Sequence, residues 1–359
     1  MNETPEKLHQ LPKALLSWYD DNARVLPWRQ DPTAYHVWVS EIMLQQTRVG
    51  AVLPYYHRFM EALPDVCALA EVPEEKLMKL WEGLGYYSRA RNLQKAAKKV
   101  IEEYDGVFPD TYEALLTLPG IGDYTAGAVA SIAFRRQVPA VDGNVLRVLA
   151  RILGDDGDVL DSKVKARFRA YLCDILPEGR AGDFNQAMMD LGAMVCLPNG
   201  APKCEECPVR GFCTAKDGGL WRTLPVKKKK APRRKEEKTV FVLLSQDGVA
   251  LRKRPETGLL AGLWEFPHVE GLLDEDQAAE VLKGWGLVPM VWKQQLSAKH
   301  IFTHVEWHMR GYVLAVKKEK RAELVWTDKA AFADTAIPSA FAKFTAAVEN
   351  EWKEMKAEP

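Results

Sequence analysis

The chain has 359 residues, with 49 basic and 49 acidic side chains and a mean hydropathy of −0.25. That length exceeds one ordinary core and fits two or three domains. The cancelled charge excludes any inference of nucleic-acid binding from net charge, so a basic surface has to be local, and no stretch approaches the ~20 apolar residues of a membrane span.

The first residues, MNETPEKLHQL, hold no apolar run of signal-peptide length, so the expectation is a soluble, intracellular protein without a membrane partner. Residues 8–19 read as a helix, ended by DDNAR and the loop LPWRQDP. From Ala34, AYHVWVSEIMLQQ has helical period, with Val37, Trp38, Glu41, Leu44 and Gln45 near one face. A carboxylate on that face loses water on folding, and desolvation raises its pKa toward that of a useful general acid. The alternative for Glu41 is an edge position, paired with an arginine.

Helical segments broken by Pro64, Pro73 and Pro109 follow. Between them GLGYYSRARNL sets Tyr86 and Tyr87 at a glycine-flanked turn, both expected to be exposed, ahead of Arg89 and Arg91. Aromatics beside arginines can stack on bases while the arginines meet phosphates; equally, a Tyr pair can pack at a helix start. Next comes LPGIGDYTAGAVASIAF, where Gly120 and Gly122 flank Ile121 ahead of an apolar, small-residue helix expected over 125–134. Such a turn brings backbone N–H groups close to an anion. VDGNVLRVLAR then places Asp142 at the start of another helix, where the helix end favours its anionic form. A phosphate cradle followed by a fixed carboxylate suggests chemistry on a nucleic acid.

The chain stays helical through FNQAMMDLGAMVC and reaches Cys196-x7-Cys204-x2-Cys207-x5-Cys213. The other two of the six cysteines, Cys67 and Cys173, stand alone in apolar helical contexts. Clustering in a chain without a secretion signal favours metal ligation over disulfides. Four thiolates in one loop can hold zinc or an iron–sulfur cluster, and a single Cys-x-x-Cys knuckle flanked by lone cysteines favours the cluster. Lys203 and Arg210 suggest that the loop shapes a contact with a DNA backbone. VKKKKAPRRKEEK, residues 226–238, then reads as an exposed charged linker that could track phosphates. Beyond it TVFVLL, VALRKR and HIFTHVEWHMRGYVLAV are strand-like, and stretches near 275–284 and 339–354 are helical.

WVSEIMLQQT, LPGIGDYTA with VDGN, and the cysteine loop together resemble the adenine DNA glycosylase (MutY) family of the helix-hairpin-helix endonuclease III superfamily. GLLAGLWEFP resembles the Nudix hydrolase fold near its signature, but no REx2EE-type acidic helix follows. The ligands for a catalytic Mg²⁺ are therefore missing, and pyrophosphate hydrolysis is disfavoured. The resemblance covers residues 8–355. It implies a mainly α N-terminal region, a helix-hairpin-helix glycosylase fold with an iron–sulfur cluster loop, joined to an α+β Nudix-like C-terminal domain. The implied boundaries are a helical catalytic domain over 1–222, a basic linker over 223–238, and an 8-oxoguanine recognition domain over 239–359. Within the first, a six-helix module covers about 27–135 and the iron–sulfur module takes 1–26 and 136–222.

The resemblance also implies roles. Glu41 would protonate adenine at N7, and Asp142 would stabilise or covalently trap the sugar cation. Tyr124 and Asn144 would hydrogen-bond around the site and position Asp142. Trp28 and Arg29 would line the adenine pocket, and Leu44 belongs with the substrate-binding residues. Tyr86 would wedge beside the base opposite the target, with Gln46 near it. Phe302, Thr303 and His304 match the loop that contacts 8-oxoguanine, with Thr in place of Ser; otherwise they are packing residues. Gly120 and Gly122 would meet the DNA backbone, where the resemblance leaves room for a monovalent cation at the hairpin. Cys196, Cys204, Cys207 and Cys213 would hold a [4Fe–4S] cluster, although the first gap is seven residues where the family has six. Endonuclease III proper has a Lys where Tyr124 stands, and Tyr cannot form an imine, so the expectation is a monofunctional glycosylase. The implied partner is duplex DNA with adenine opposite 8-oxoguanine or guanine, acted on by a monomer in the bacterial cytoplasm at the nucleoid. Two readings stay open beside it: a relative excising another base, and a non-catalytic iron–sulfur DNA-binding protein.

Overall fold

The computed structural model describes residues 3–216, 218–228, 232–246, 248–317 and 323–357, so residues 229–231 of the expected linker lie outside the described set. The chain divides into Met1–Glu71 with Arg91–Lys229, and Val72–Ala90 with Lys230–Pro359.

The first unit is helical. Its elements include α1 (Leu11–Asn22), α2 (Ala34–Leu44), α3 (Val49–Ala62), most of α4 (Ser88–Tyr104), α5 (Asp123–Ile132), α6 (Gly143–Leu153), α7 (Ser162–Ile175) and α8 (Ala181–Asp190). Leu11 and Leu15 of α1, Val145 and Leu149 of α6, Phe168 and Leu172 of α7, and Phe184 and Met188 of α8 share one core. Helix α6 stops where Gly154 takes a left-handed conformation (φ 69°), the usual glycine C-cap. Helix α5 starts two residues earlier than the spacing predicts and is buried from Thr125 to Ser131. Its small residues permit a close approach: a Cβ at Gly127 would lie 2.4 Å from the Pro139 carbonyl oxygen. Cys67 and Cys173 are helical but exposed, so neither belongs to an apolar face.

The second unit is built on a sheet with seven strands among the described residues: β1 (Arg234–Ser245), β2 (Gly248–Lys253), β3 (Trp264–Glu265), β4 (His268–Glu270), β5 (Pro289–Ile301), β6 (Val305–Val316) and β7 (Val325–Thr327). The order is β3-β2-β1-β6-β5, with β4 paired to β1 and β7 to β2. Strand β1 runs parallel to β6, from Arg234 opposite Val305 to Leu244 opposite Ala315. Alternation along β1 sends Val240, Val242 and Leu244 to one core and Phe241 and Leu243 to the other. Helix α9 (Glu275–Gly284) packs on the second, its start fixed by a capping box between Asp274 and Gln277. Phe344 and Val348 of α10 (Ala342–Ala357) pack on the first.

Two expectations need correction. Strand β1 begins at Arg234, inside the 223–238 stretch read as linker, because ladder bonds to β6 stabilise a charged segment that has no apolar signal. The 300–316 run is not one strand but a hairpin that turns at Phe302–His304. Strand β5 starts well before it; most of its side chains are exposed, so no apolar alternation marks it. Among the described residues no helix is long and apolar enough to cross a membrane.

Candidate active site

In the helical unit, Trp28, Arg29, Glu41, Leu44, Gln46, Tyr124, Asp142 and Asn144 line one cavity of about 1030 Å³. Gln186 and Met189 of α8 line it too, and no sequence motif singles them out. Glu41 is 5 % exposed, and among the described residues it has no salt-bridge partner, so the edge-and-arginine alternative is not what the chain adopts. Its carboxylate accepts a short hydrogen bond from the Tyr124 hydroxyl, which also reaches the Met189 sulfur at 3.4 Å. Tyr124 therefore contacts Glu41, whereas the family resemblance assigns it to Asp142. Burial pushes the Glu41 pKa up to about 7, against the pull of the Tyr124 bond; nearby Asp142 adds to the rise and Arg29 offsets part of it. Burial also lifts the Tyr124 phenol well above its ordinary value, so it stays a neutral donor.

Asp142 caps α6. It accepts from the Val145 N–H at 2.8 Å and from Asn144 Nδ2 at 2.7 Å. Burial raises its pKa, while these bonds and the charge of Arg147 act the other way. The Asn144 Oδ1 in turn accepts from Arg147 at 2.9 Å, and Arg147 donates to the Gly192 carbonyl at 2.8 Å and the Cys196 carbonyl at 3.0 Å. The approach to Asp142 is fixed by Asn185, which accepts from the Ala140 N–H at 3.1 Å and donates to Ser131 Oγ at 2.8 Å and the Val138 carbonyl at 2.9 Å. Neither Asn185 nor Arg147 stands out in the sequence; polar residues on helical faces carry no signal of what they meet.

The wall is built differently. Arg29 lines the cavity, but its guanidinium grips Asp190 at 2.8 and 2.9 Å, and Arg24 holds the same carboxylate at 2.9 and 2.5 Å. Burial alone would push the Asp190 pKa up; the hydrogen bonds and charges of Arg29 and Arg24 more than reverse that and leave it low. Trp28 is buried edge-on to Tyr56, ring centroids 5.0 Å apart.

Gly120 sits at the turn before α5 with φ 78°, and a Cβ there would strike the Asn92 Cβ at 2.6 Å. Gly122 is the extended N-cap of α5, and a Cβ at that position would meet nothing within 4 Å, so neither backbone nor space demands glycine there. Gln46 (φ 61°) and Tyr86 (φ 49°) both hold the left-handed conformation that non-glycine residues seldom adopt, a cost met at functional sites more often than elsewhere.

In the sheet unit, Tyr86 is 47 % exposed whereas Tyr87 is buried, correcting the expectation that both face solvent. The Tyr86 hydroxyl lies 3.0 Å from Thr303 Oγ1. The turn that carries Phe302, Thr303 and His304 is closed by Phe302 N–H to the Val305 carbonyl at 2.8 Å. It is tied to the start of β1 by Arg234 N–H to the His304 carbonyl and Arg233 Nε to the Phe302 carbonyl, both 3.1 Å. Thr303 and His304 are exposed, and Phe302 is half-buried.

Cys196, Cys204, Cys207 and Cys213 line one small space with Val148, Leu191 and Val195. All are free thiols. Burial pushes Cys207 up to about 12, with the neighbouring thiols adding to the rise, and Cys204 and Cys213 move the same way. Crowded, half-buried thiols of this kind fit a bound metal group, which would hold them deprotonated. Among the described residues no three His, Cys, Asp or Glu are grouped as around a single ion. Lys203 and Arg210 are engaged with Glu206 and Glu205.

Comparison with known proteins agrees with this geometry. Residues 39–172 match the HhH-GPD superfamily base excision DNA repair proteins, and residues 239–347 match the NUDIX domain. The adenine DNA glycosylase of Mus musculus is 38 % identical over an alignment of 394 positions, gaps included, that covers 92 % of this chain and 76 % of that one. The chain belongs to the adenine DNA glycosylase family. A second member, from Buchnera aphidicola subsp. Acyrthosiphon pisum, is 34 % identical over 301 residues, 84 % of this chain and 85 % of that one. Among solved structures, a thermostable thymine-DNA glycosylase is similar over 58 % of this chain and 96 % of that one, with 30 % identity and a TM-score of 0.54. Both halves of a glycosylase with a NUDIX domain are thus present in this family member.

Proposed function

We propose that this protein acts as a monomer on duplex DNA, excising adenine opposite 8-oxoguanine or guanine by acid-assisted hydrolysis of the N-glycosidic bond, without cutting the strand. The observation that carries the reading is Glu41: a buried carboxyl with no cationic partner among the described residues, held by a neutral phenol, facing the same cavity as Asp142. The adenine nucleotide leaves the stack to enter that cavity. Departure of the base leaves electrons on adenine and positive charge on the sugar, so the site has to supply a proton to one and a negative charge to the other. Glu41, whose pKa burial raises to about 7, gives its proton to N7. Asp142, held by Asn144 and the Val145 N–H, faces the sugar cation as an anion, the form those donors favour. It stabilises that cation or closes on it covalently until water completes the hydrolysis.

Tyr124 fills the place where an amine would be needed for an imine to the sugar, so strand cleavage does not follow. Phe302, Thr303 and His304 read the 8-oxoguanine, Tyr86 and Gln46 hold the duplex open, and the turn at Gly120 and Gly122 meets the phosphates. Cys196, Cys204, Cys207 and Cys213 would hold a [4Fe–4S] cluster, which would cross-link the 196–213 loop.

The test is single-turnover release of free adenine from duplexes carrying adenine opposite 8-oxoguanine, guanine or thymine, with and without Asp142→Asn. Release that is fastest from the first, slower from the second and absent from the third, and that is lost in the variant, is expected. Tight binding without adenine release from any duplex would overturn the reading, and strand breaks without alkali at the rate of base release would overturn its monofunctional part.

A further inference from the structure

Trp307 lies in the sheet unit directly beneath the 302–304 turn, and its surroundings are unusual for a core indole. It is 1 % exposed and shares its face of β6 with Val305 and Met309. An apolar pocket would suffice to bury it. Instead its Nε1–H donates to Glu236 at 2.8 Å, the Lys238 ammonium lies 4.9 Å from the ring centroid, and the Arg254 guanidinium lies 5.7 Å from it. Lys238 is itself buried and pairs with Glu270 at 2.5 Å, and Arg254 pairs with buried Glu265. Burying charges around one ring costs desolvation, and what it gains is a fixed ring plane and edge.

The edge so fixed bears on Phe302. The Phe302 and Trp307 rings stand 4.9 Å apart at 70°, an edge-to-face pair, and Phe302 packs only partly into the core, with Thr303 and His304 exposed beyond it. The same strand that supplies Glu236 and Lys238 begins with Arg234, whose N–H holds the His304 carbonyl. One end of β1 therefore sets both the indole under the turn and the backbone of the turn.

We propose that Trp307 is a specificity-determining positioning residue: through Phe302 it holds the 302–304 turn in the conformation that distinguishes 8-oxoguanine from guanine opposite adenine. This rests on the reading of that turn as the 8-oxoguanine contact. Trp307 touches no nucleotide; its effect is pre-organisation, so that ordering the turn is not charged against the lesion contact.

The readout is the ratio of single-turnover adenine release from the 8-oxoguanine duplex to that from the guanine duplex, measured for wild type, Trp307→Leu, Trp307→Phe, Phe302→Ala and the double variant Trp307→Leu/Phe302→Ala. A general loss of folded protein lowers both rates and leaves the ratio alone. Trp307→Leu is expected to lower the ratio roughly threefold to tenfold, the scale of one aromatic pair. Trp307→Phe, which keeps a ring in the core but loses the Glu236 bond, is expected to lower it by a smaller factor. The double variant is expected to fall no further than Phe302→Ala. A wild-type ratio in Trp307→Phe or Trp307→Leu, or additive losses in the double variant, would overturn the proposal. If Phe302→Ala lowers the ratio and the Trp307 variants do not, Trp307 loses its role and the turn keeps its own; if Phe302→Ala leaves the ratio unchanged, the underlying reading of the turn fails.

Discussion

Glu41 in the helical unit and Glu265 in the sheet unit are the same residue type at nearly the same burial, 5 % and 2 % exposed. Their partners differ. Glu265 receives Arg252 through two bonds of 2.9 and 3.1 Å, receives Arg254 as well, and has the His268 ring 3.5 Å away. Glu41 receives one phenol among the described residues. A buried carboxylate that is matched by guanidinium groups is a strut; one that is left with a neutral donor keeps an affinity for a proton and can give it away. Asp190 makes the same point inside the helical unit, since two arginines hold it ionised beside the cavity that Glu41 faces. Burial alone does not mark a catalytic acid, and the absence of a salt-bridging cation is the more informative sign.

The contrast predicts opposite phenotypes. Glu41→Gln removes the proton but keeps the shape, and adenine release should slow by about 10²–10⁴, the usual contribution of a general acid, while duplex binding persists. A rate within tenfold of wild type would remove Glu41 from the proton path. Glu265→Ala should do the reverse. Leaving two guanidinium groups without their carboxylate costs about 3–5 kcal/mol, to be read as an earlier unfolding transition of the sheet unit in denaturant. The pH profile of adenine release from the guanine duplex should stay where it is. A displaced profile with unchanged stability would show that Glu265 is no strut.

How far the sequence exposes these distinctions follows from what each depends on. Glu41, Asp142 and the cysteine loop stand in contiguous motifs, so their neighbours in the chain are also their surroundings: Asp142 accepts from residues only two and three positions on. The partner of Glu41 is 83 residues away and those of Asp190 are 161 and 166, and no local pattern announces a contact of that span. The start of strand β1 is hidden for a related reason. RKEEK has the composition of a linker, and the ladders to β6 and β4 with ion pairs such as Lys238 to Glu270 make it a strand. Tyr87 resembles Tyr86 in the sequence because one-residue steps around a turn reverse the direction of a side chain without altering composition.

Asn144 tests the second carboxylate on a smaller scale. It donates to Asp142 at 2.7 Å and accepts from Arg147, so Asn144→Ala removes one charge-assisted bond and its orienting arm. A hydrogen bond to a charged group is worth about 1.5–3 kcal/mol, which sets the expected slowing of adenine release at about tenfold to a hundredfold. The pH at which the rate falls should hardly change, because Glu41 is untouched. Equal rates in the variant and wild type would show that Val145 and the helix end suffice to fix Asp142.

Tyr124→Phe gives the smallest effect and the sharpest check on Glu41. The acid has to be protonated to act, so release should fall as the pH rises through about 7, the value to which burial pushes Glu41. The Tyr124 bond favours the ionised form and pulls that value down; removing the hydroxyl leaves burial less opposed and raises it. The alkaline fall in rate should therefore move to higher pH, by about one unit if the lost bond is worth about 1.5 kcal/mol. In the acid plateau, where Glu41 is protonated in both proteins, the rates should differ by less than the shifted limb does. A limb that moves to lower pH would mean that the phenol had been excluding water or holding Asp142. An unmoved limb would assign the titration to Asp142 or to the DNA, and the comparison with Glu265 would lose its catalytic side.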